Sequence, residues 1–187
     1  MTLMASEVRS YLPYGREITR ADLRALPDDG HRYELIDGAL LVTPAPRFQH
    51  QLAVANLYTA LREAAPAELT VLFAPFDVAL AANTVIQPDI LVARRDAFTD
   101  TELPGPPLLA IEVLSPSTRS IDLLLKKERL QRAGCPHYWV IDPDEPSITA
   151  WDLTDGVYRD AAHALGEGLF EVTTPFPVRL APAALLA

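Results

Sequence analysis

The apolar run Leu108-Leu109-Ala110-Ile111-Glu112-Val113-Leu114 carries a carboxylate in its interior, and Asp89, after Gln87-Pro88, opens a second run, Ile90-Leu91-Val92. Apolar runs of this length read as strands covered on both faces. An ionised carboxylate buried without a partner costs several kcal/mol, so a chain keeps one only where it is paired, hydrogen-bonded or bound to metal. The fold must therefore bring compensating groups to both positions. Strand alternation places Glu112 on the face of Leu108, Ala110 and Leu114, opposite Ile111 and Val113. Asp89 and Glu112 must lie on separate elements, and strands meeting side by side would bring them together.

The rest of the chain alternates helix and strand signals. Thr19 followed three residues later by Asp22 imitates a capping box and predicts a short helix through Leu26, stopped by Pro27-Asp28-Asp29-Gly30. Asp37-Gly38 between Tyr33–Ile36 and Ala39–Thr43 predicts a hairpin with Glu34 on its first strand. Apolar spacing from Phe48 to Ala64, with Pro66 beyond, predicts a long helix. Strands are expected over 69–74, 76–80, 86–93 and 108–114, with a connecting loop over 94–107. A helix over 121–133 is ended by Gly134 and Pro136, and 138–141 returns as a strand. Later strands are expected over 147–153, 157–160 and 169–173, before a proline-broken tail and a short docked helix over 183–187. The expected fold class is α/β, with a mixed central sheet flanked by helices and additional N-terminal and C-terminal strands. Residues 1–16 are expected to form a flexible arm and 17–187 a single domain.

The 187 residues suffice for one core without staples. The single cysteine, Cys135, excludes an intrachain disulfide and suits a reducing compartment. The first residues lack a basic segment followed by an apolar core, and no stretch approaches the ~20 apolar residues of a membrane span, so a cytoplasmic, membrane-free protein is expected. A net charge of −9 is the wrong sign for a protein that neutralises phosphate over a wide surface. Locally the sign reverses: Arg119, Lys126, Lys127, Arg129 and Arg132 stand against Asp122 and Glu128 between 119 and 132. Such a run is ordinarily a solvated helix face with pairs such as Asp122 and Lys126, and the neighbouring carboxylates are what favour a functional reading.

Five blocks in order, Tyr33-Glu34-Leu35-Ile36-Asp37-Gly38, Gln87-Pro88-Asp89, Ile111-Glu112-Val113-Leu114-Ser115-Pro116-Ser117-Thr118, Asp122 with Lys126, and Ala133-Gly134-Cys135-Pro136-His137-Tyr138-Trp139-Val140-Ile141-Asp142-Pro143, resemble the Uma-type family of restriction endonucleases within the PD-(D/E)XK nuclease superfamily. The resemblance spans 17–153. It implies a restriction-endonuclease-like fold and Mg²⁺-dependent hydrolysis of DNA phosphodiester bonds, leaving 5′-phosphate ends, with Mn²⁺ as a substitute. Asp89, Glu112 and the main-chain carbonyl of Val113 would hold the metal, as oxygen ligands suit a hard cation. Leu114 falls where the superfamily carries lysine, and leucine can neither orient hydroxide nor neutralise phosphate. Either activity is lost or lysine comes from elsewhere, and the resemblance implies a relocated catalytic lysine, Lys126 rather than Lys127. Glu34 matches an early acidic position that binds metal, holds a water or accepts a proton, whereas by position alone it is an exposed hairpin residue. Asp122 is expected to anchor Lys126. A homodimer is expected, since many members of the superfamily act as dimers.

Other chemistries are not supported. No zinc spacing, phosphate-binding glycine loop or dinucleotide fingerprint occurs, so no nucleotide cofactor is expected. Ser115, Ser117 and Thr118 read as caps for the helix near residue 120 rather than as nucleophiles. His50, on the long helix, could contact phosphate, but a lone helical histidine reads first as a hydrogen-bonded packing residue. Two rivals remain: a catalytically inactive binding module on the nuclease fold, motivated by Leu114 and the acidic balance, and a metal-dependent nuclease acting on RNA.

Overall fold

The computed structural model describes Pro13, residues 15–27 and residues 29–187. The expected N-terminal arm over 1–16 thus lies almost wholly outside the described residues. Helix α1 (Arg20–Arg24) opens with the capping box that Thr19 and Asp22 predict, each side chain meeting the other's backbone N–H. Strands β1 (Arg32–Ile36) and β2 (Ala39–Thr43) form the expected hairpin. Asp37 and Gly38 at its tip have φ of 52° and 75°, the left-handed pair that a two-residue turn requires. Helix α2 (Phe48–Ala64) follows, then β3 (Leu69–Phe73), β4 (Asp77–Ala81), β5 (Thr84–Ile86), β6 (Ile90–Arg94), β7 (Glu102–Pro104) and β8 (Leu109–Val113).

A π-helical segment (Ile121–Lys126) runs directly into α3 (Lys127–Ala133), and β9 (His137–Asp142), β10 (Ser147–Thr154), β11 (Val157–Leu165), β12 (Phe170–Val172) and β13 (Val178–Leu180) complete the strands. A 3₁₀ turn, Pro182–Leu186, docks the tail on α2, where Asn56 donates to the Leu185 carbonyl at 3.0 Å. The central sheet has the order β11-β10-β9-β8-β6-β3 and a second sheet the order β2-β1-β5-β4-β7. The central sheet is mixed: β8 and β9 are parallel, and the helical crossover between them is the connection that parallel neighbours demand.

Strand alternation divides the core. Ile90, Val92, Leu109, Ile111, Val113, Trp139 and Ile141 pack with Ala53, Val54, Leu57 and Leu61 of α2. Leu91, Ala93, Ala110, Leu114, Tyr138 and Val140 face the other way, onto Ile86, Val78 and Leu103 of the second sheet and Leu130 of α3. Both faces are covered, which explains the unbroken apolar runs.

Three expectations need correction. The single strand expected over 86–93 is two strands in different sheets, interrupted at Gln87-Pro88-Asp89, because Pro88 lacks the N–H that a continuous ladder needs. The loop expected over 94–107 contains a 3₁₀ turn, Arg95–Ala97, and β7, which pairs in parallel with β4. Glu102 of β7 is buried and held by Arg20 and by Arg24 at 2.6 Å, tying α1 to the second sheet. The helix expected over 121–133 is π-helical for its first six residues. Among the described residues no helix is long and apolar enough to cross a membrane.

Cys135 is fully buried, and its Sγ donates to the His137 carbonyl at 3.2 Å. Burial pushes the thiol up to about 12. An unfolded thiol ionises near ~8.5, so the folded state binds this proton more tightly. Stability from the protonated thiol is complete below about pH 8 and declines as pH rises from about 9 towards 12. At pH 8 the native protein should resist an aromatic disulfide reagent, and denaturation should release one reactive thiol per chain. Rapid labelling of the native state would contradict this burial.

Candidate active site

The register of β6 on β8 pairs Ile90 with Ile111 and Leu91 with Ala110, so the next step opposes Asp89 to Glu112. The two carboxylates therefore meet, Glu112 from β8 and Asp89 from the segment that leads directly into β6. Asp89 Oδ2 accepts the Val113 N–H at 2.8 Å, which ties the carboxylate to the strand beside it. Glu112 lies with Ala110 and Leu114, on the face expected from alternation. Leu114 packs in the apolar cluster on that face.

Glu34 arrives from the second sheet. It is 1% exposed, which overturns its reading as an exposed hairpin residue. Its Oε1 accepts the Gln87 N–H at 2.6 Å, so the segment between β5 and β6 that changes sheets carries Asp89 and also anchors Glu34. Lys126 Nζ lies 3.0 Å from Glu34 Oε1, 3.0 Å from Glu112 Oε1 and 3.5 Å from Asp122 Oδ1. The structure thus brings together Glu34, Asp89, Glu112, Asp122 and Lys126. Lys127 is elsewhere, its ammonium 3.4 Å above the Trp151 ring.

The wide turn of the π-helical segment presents Asp122 and Lys126 together to the site, a use common for π-helical turns at functional centres. The buried Tyr138 hydroxyl donates to the Asp122 carbonyl at 2.8 Å, giving this irregular backbone a partner from the sheet below. Ser115, Ser117 and Thr118 do not cap the helix as expected. Ser115 Oγ lies 3.0 Å from both Ser117 Oγ and Thr118 Oγ1, and Ser120 makes no side-chain cap bond.

Two site residues escaped the sequence reading. Arg32 Nη1 lies 3.3 Å from Asp89 Oδ1, and Nη2 donates to the Gln87 carbonyl. Its signal was available: Arg32 is two residues before Glu34 on one strand and so shares its face. His50 was read as a packing residue, yet its Nε2 lies 3.2 Å from Asp89 Oδ2 and it lines the same cavity. Nothing in local periodicity distinguishes it from any other residue of α2.

These groups form the floor of a cavity of 750 Å³ whose walls are residues 30–34, 43–50 and 115–126 in part. Burial pushes the Glu112 carboxyl well up, against the pull of Lys126, and pushes Asp122 up in the same way. Asp89 is also desolvated, but the His50 hydrogen bond and the charges of His50, Arg32 and Lys126 outweigh burial and hold it at about 2. Burial alone would lower Lys126, and the surrounding carboxylates reverse this and raise it. Four carboxyl groups, Glu34, Asp89, Glu112 and Asp122, meet two permanent cations, Lys126 and Arg32, with the His50 imidazole on Asp89. The carboxylate oxygens of Asp89 and Glu112 are the donors that a hard divalent cation takes. Among the described residues no three His, Cys, Asp or Glu side chains are gathered closely enough to hold a metal by themselves, because Lys126 and Arg32 are interleaved between the carboxylates.

Residues 20–184 match the Uma2 family, described as "Putative restriction endonuclease", and the chain belongs to that family. The fold is restriction-endonuclease-like. Among solved structures, a "putative nuclease belonging to DUF820" from Anabaena variabilis superposes with a TM-score of 0.71 at 17% identity, covering 90% of this chain and 97% of that one. At that identity the likeness concerns the fold. No curated protein matches the chain.

Removing the ammonium leaves Glu34, Glu112 and Asp122 buried together without their common partner. In EDTA at pH 8, Lys126→Met should lower unfolding stability by ~3–5 kcal/mol. The carboxyl groups then hold protons more tightly folded than unfolded, so the deficit should shrink as pH falls to 5. Urea denaturation at the two pH values measures both effects, and a pH-independent loss would refute the charge argument.

Proposed function

We propose that the protein is a metal-dependent endonuclease that hydrolyses DNA phosphodiester bonds at the cavity floor. The observation that carries this reading is the convergence of Glu34, Asp89, Glu112 and Lys126, from two sheets and a helix, on one buried point open to a cavity. Asp89 and Glu112, with the Val113 carbonyl, would hold Mg²⁺, and Mn²⁺ would substitute. When bound, the cation offsets charge on the phosphate and activates water.

The chain's own groups supply the remaining requirements. Lys126 binds a phosphate oxygen and is the relocated counterpart of the lysine that Leu114 replaces. The Glu112 and Glu34 carboxylates beside it outweigh its burial and keep it charged. Asp122 positions this side chain through the i,i+4 ion pair rather than touching substrate. Glu34 holds the opposite side of the ammonium and can accept a proton from the attacking water. Arg32 and His50 fix the Asp89 carboxylate from the cavity side. Hydrolysis would break the bond to the 3′ oxygen and leave the phosphate on the 5′ end.

Cleavage of supercoiled and single-stranded DNA at low salt, with Mg²⁺, Mn²⁺ or EDTA, tests the reading. Wild type should cut only with metal, and Asp89→Ala, Glu112→Ala and Lys126→Ala should each lose at least ~100-fold. Activity surviving Lys126→Ala would remove the lysine from the mechanism. A folded wild type that cuts neither substrate would leave a noncatalytic binding module as the better account.

Metal binding has a separate readout. Millimolar Mg²⁺ or Mn²⁺ should raise the Tm of wild type, because a ligand that binds the folded state alone stabilises it. Glu112→Ala should abolish that gain. An equal gain in the variant would place the cation elsewhere.

A further inference from the structure

We infer that Arg32 and the divalent cation are alternative partners of Asp89, and that the guanidinium displaced by the cation takes a phosphate oxygen of the substrate. This inference rests on the nuclease reading and goes beyond it, since there Arg32 only holds the carboxylate in place.

The two oxygens of Asp89 are not equally placed. Oδ2 accepts the Val113 N–H at 2.8 Å and lies 3.2 Å from His50 Nε2, which covers it on two sides. Oδ1 meets Arg32 Nη1 at 3.3 Å. An ionised carboxylate offers ~two acceptor sites on each oxygen, so Oδ1 is the oxygen with room for a metal. A cation coordinated there would stand beside a guanidinium on the same oxygen, two like charges sharing one donor. The divalent charge is the stronger of the two, and Arg32 is the partner that gives way.

Arg32 is built to survive that exchange. Its Nη2 donates to the Gln87 carbonyl, and the Gln87 N–H is itself fixed by Glu34 at 2.6 Å, so a firm anchor remains when the Asp89 contact is lost. The Arg32 side chain is 24% exposed and lines the cavity, against 7% for that of Asp89, so the arginine is the member of the pair with room to turn. Part of its fork is already unused: Nε is buried and has no hydrogen-bond partner among the described residues. A buried donor left unpaired calls for a partner.

The protein offers the displaced guanidinium no other carboxylate at hand. Glu34 Oε1 is 4.0 Å from Nη2, but it already accepts the Gln87 N–H and lies 3.0 Å from Lys126 Nζ. Glu112 Oε1 is likewise 3.0 Å from Lys126 Nζ. A phosphate entering the cavity is the partner that fits, because the planar fork of an arginine matches two phosphate oxygens. Lys126 and Arg32 would then meet the substrate from different sides, one from the π-helical turn and the other from β1.

Binding of Mn²⁺, read from the magnetic-resonance signal of the free ion, separates this role from a merely structural one without turnover. Counting only the binding that Glu112→Ala removes, Arg32→Met should bind Mn²⁺ at least ~5-fold tighter than wild type, because a competitor is gone. Equal or weaker binding, the result of losing a group that only steadies Asp89, would overturn the inference and leave the nuclease reading intact. Binding by neither protein would overturn both. Anisotropy of labelled DNA at low salt reads the phosphate contact. Arg32→Met should lose at least ~10-fold in affinity with saturating Ca²⁺ and little with EDTA, where the guanidinium stays on Asp89. No loss with Ca²⁺, or the same loss in both conditions, would overturn it. Wild type supplies a check that does not depend on how the variant folds. An arginine-specific glyoxal reagent should modify Arg32, located by peptide mapping, faster with Mn²⁺ than with EDTA, and an equal or slower rate would rule out the displacement.

Discussion

One buried ammonium holds the site together. Lys126 Nζ touches carboxylates from β1, β8 and its own helical segment, which are otherwise unrelated parts of the chain. Each of those carboxylates would be costly to bury alone. Gathered round one cation they become tolerable, and their oxygens remain available as donors to a divalent cation. The two sheets, the π-helical turn and the hairpin are all positioned so that this cluster closes.

The crossover at Gln87-Pro88-Asp89 makes that geometry possible. Before it, β5 belongs to the second sheet beside β1, and after it, β6 belongs to the central sheet beside β8. The Gln87 N–H anchors Glu34, its carbonyl anchors Arg32, and Asp89 accepts the Val113 N–H. Backbone groups that leave one ladder are thus satisfied by site side chains, so the site is also the joint between the sheets. The proline that ends pairing in β5 and the aspartate that begins the chemistry are neighbours for one structural reason.

Much of this was legible in the residues. The capping box at Thr19, the Asp37-Gly38 turn, the spacing of α2 and the alternation of β8 each express a local rule, and each element stands where that rule puts it. The order of the motif blocks pointed to the family that the chain belongs to. Less legible were the features set by long-range packing. The split of 86–93 between sheets, the short strand β7 and the π-helical start of the crossover helix depend on partners distant in sequence. Arg32 carried a weak alternation signal, and His50 carried none.

By itself the sequence determined that one carboxylate would sit in a covered strand and another at the mouth of one, because apolar runs of that length leave them little solvent. It also determined the hairpin and helix ends, which turn and cap chemistry decide within a few residues. Only the tertiary structure decided which charge meets which. Lys126 and Lys127 are adjacent in the chain, yet one ammonium enters the carboxylate cluster and the other lies on Trp151. The difference is the face that a packed helix presents, and that face is set by Leu130, Tyr138 and the sheet beneath them rather than by the two lysines.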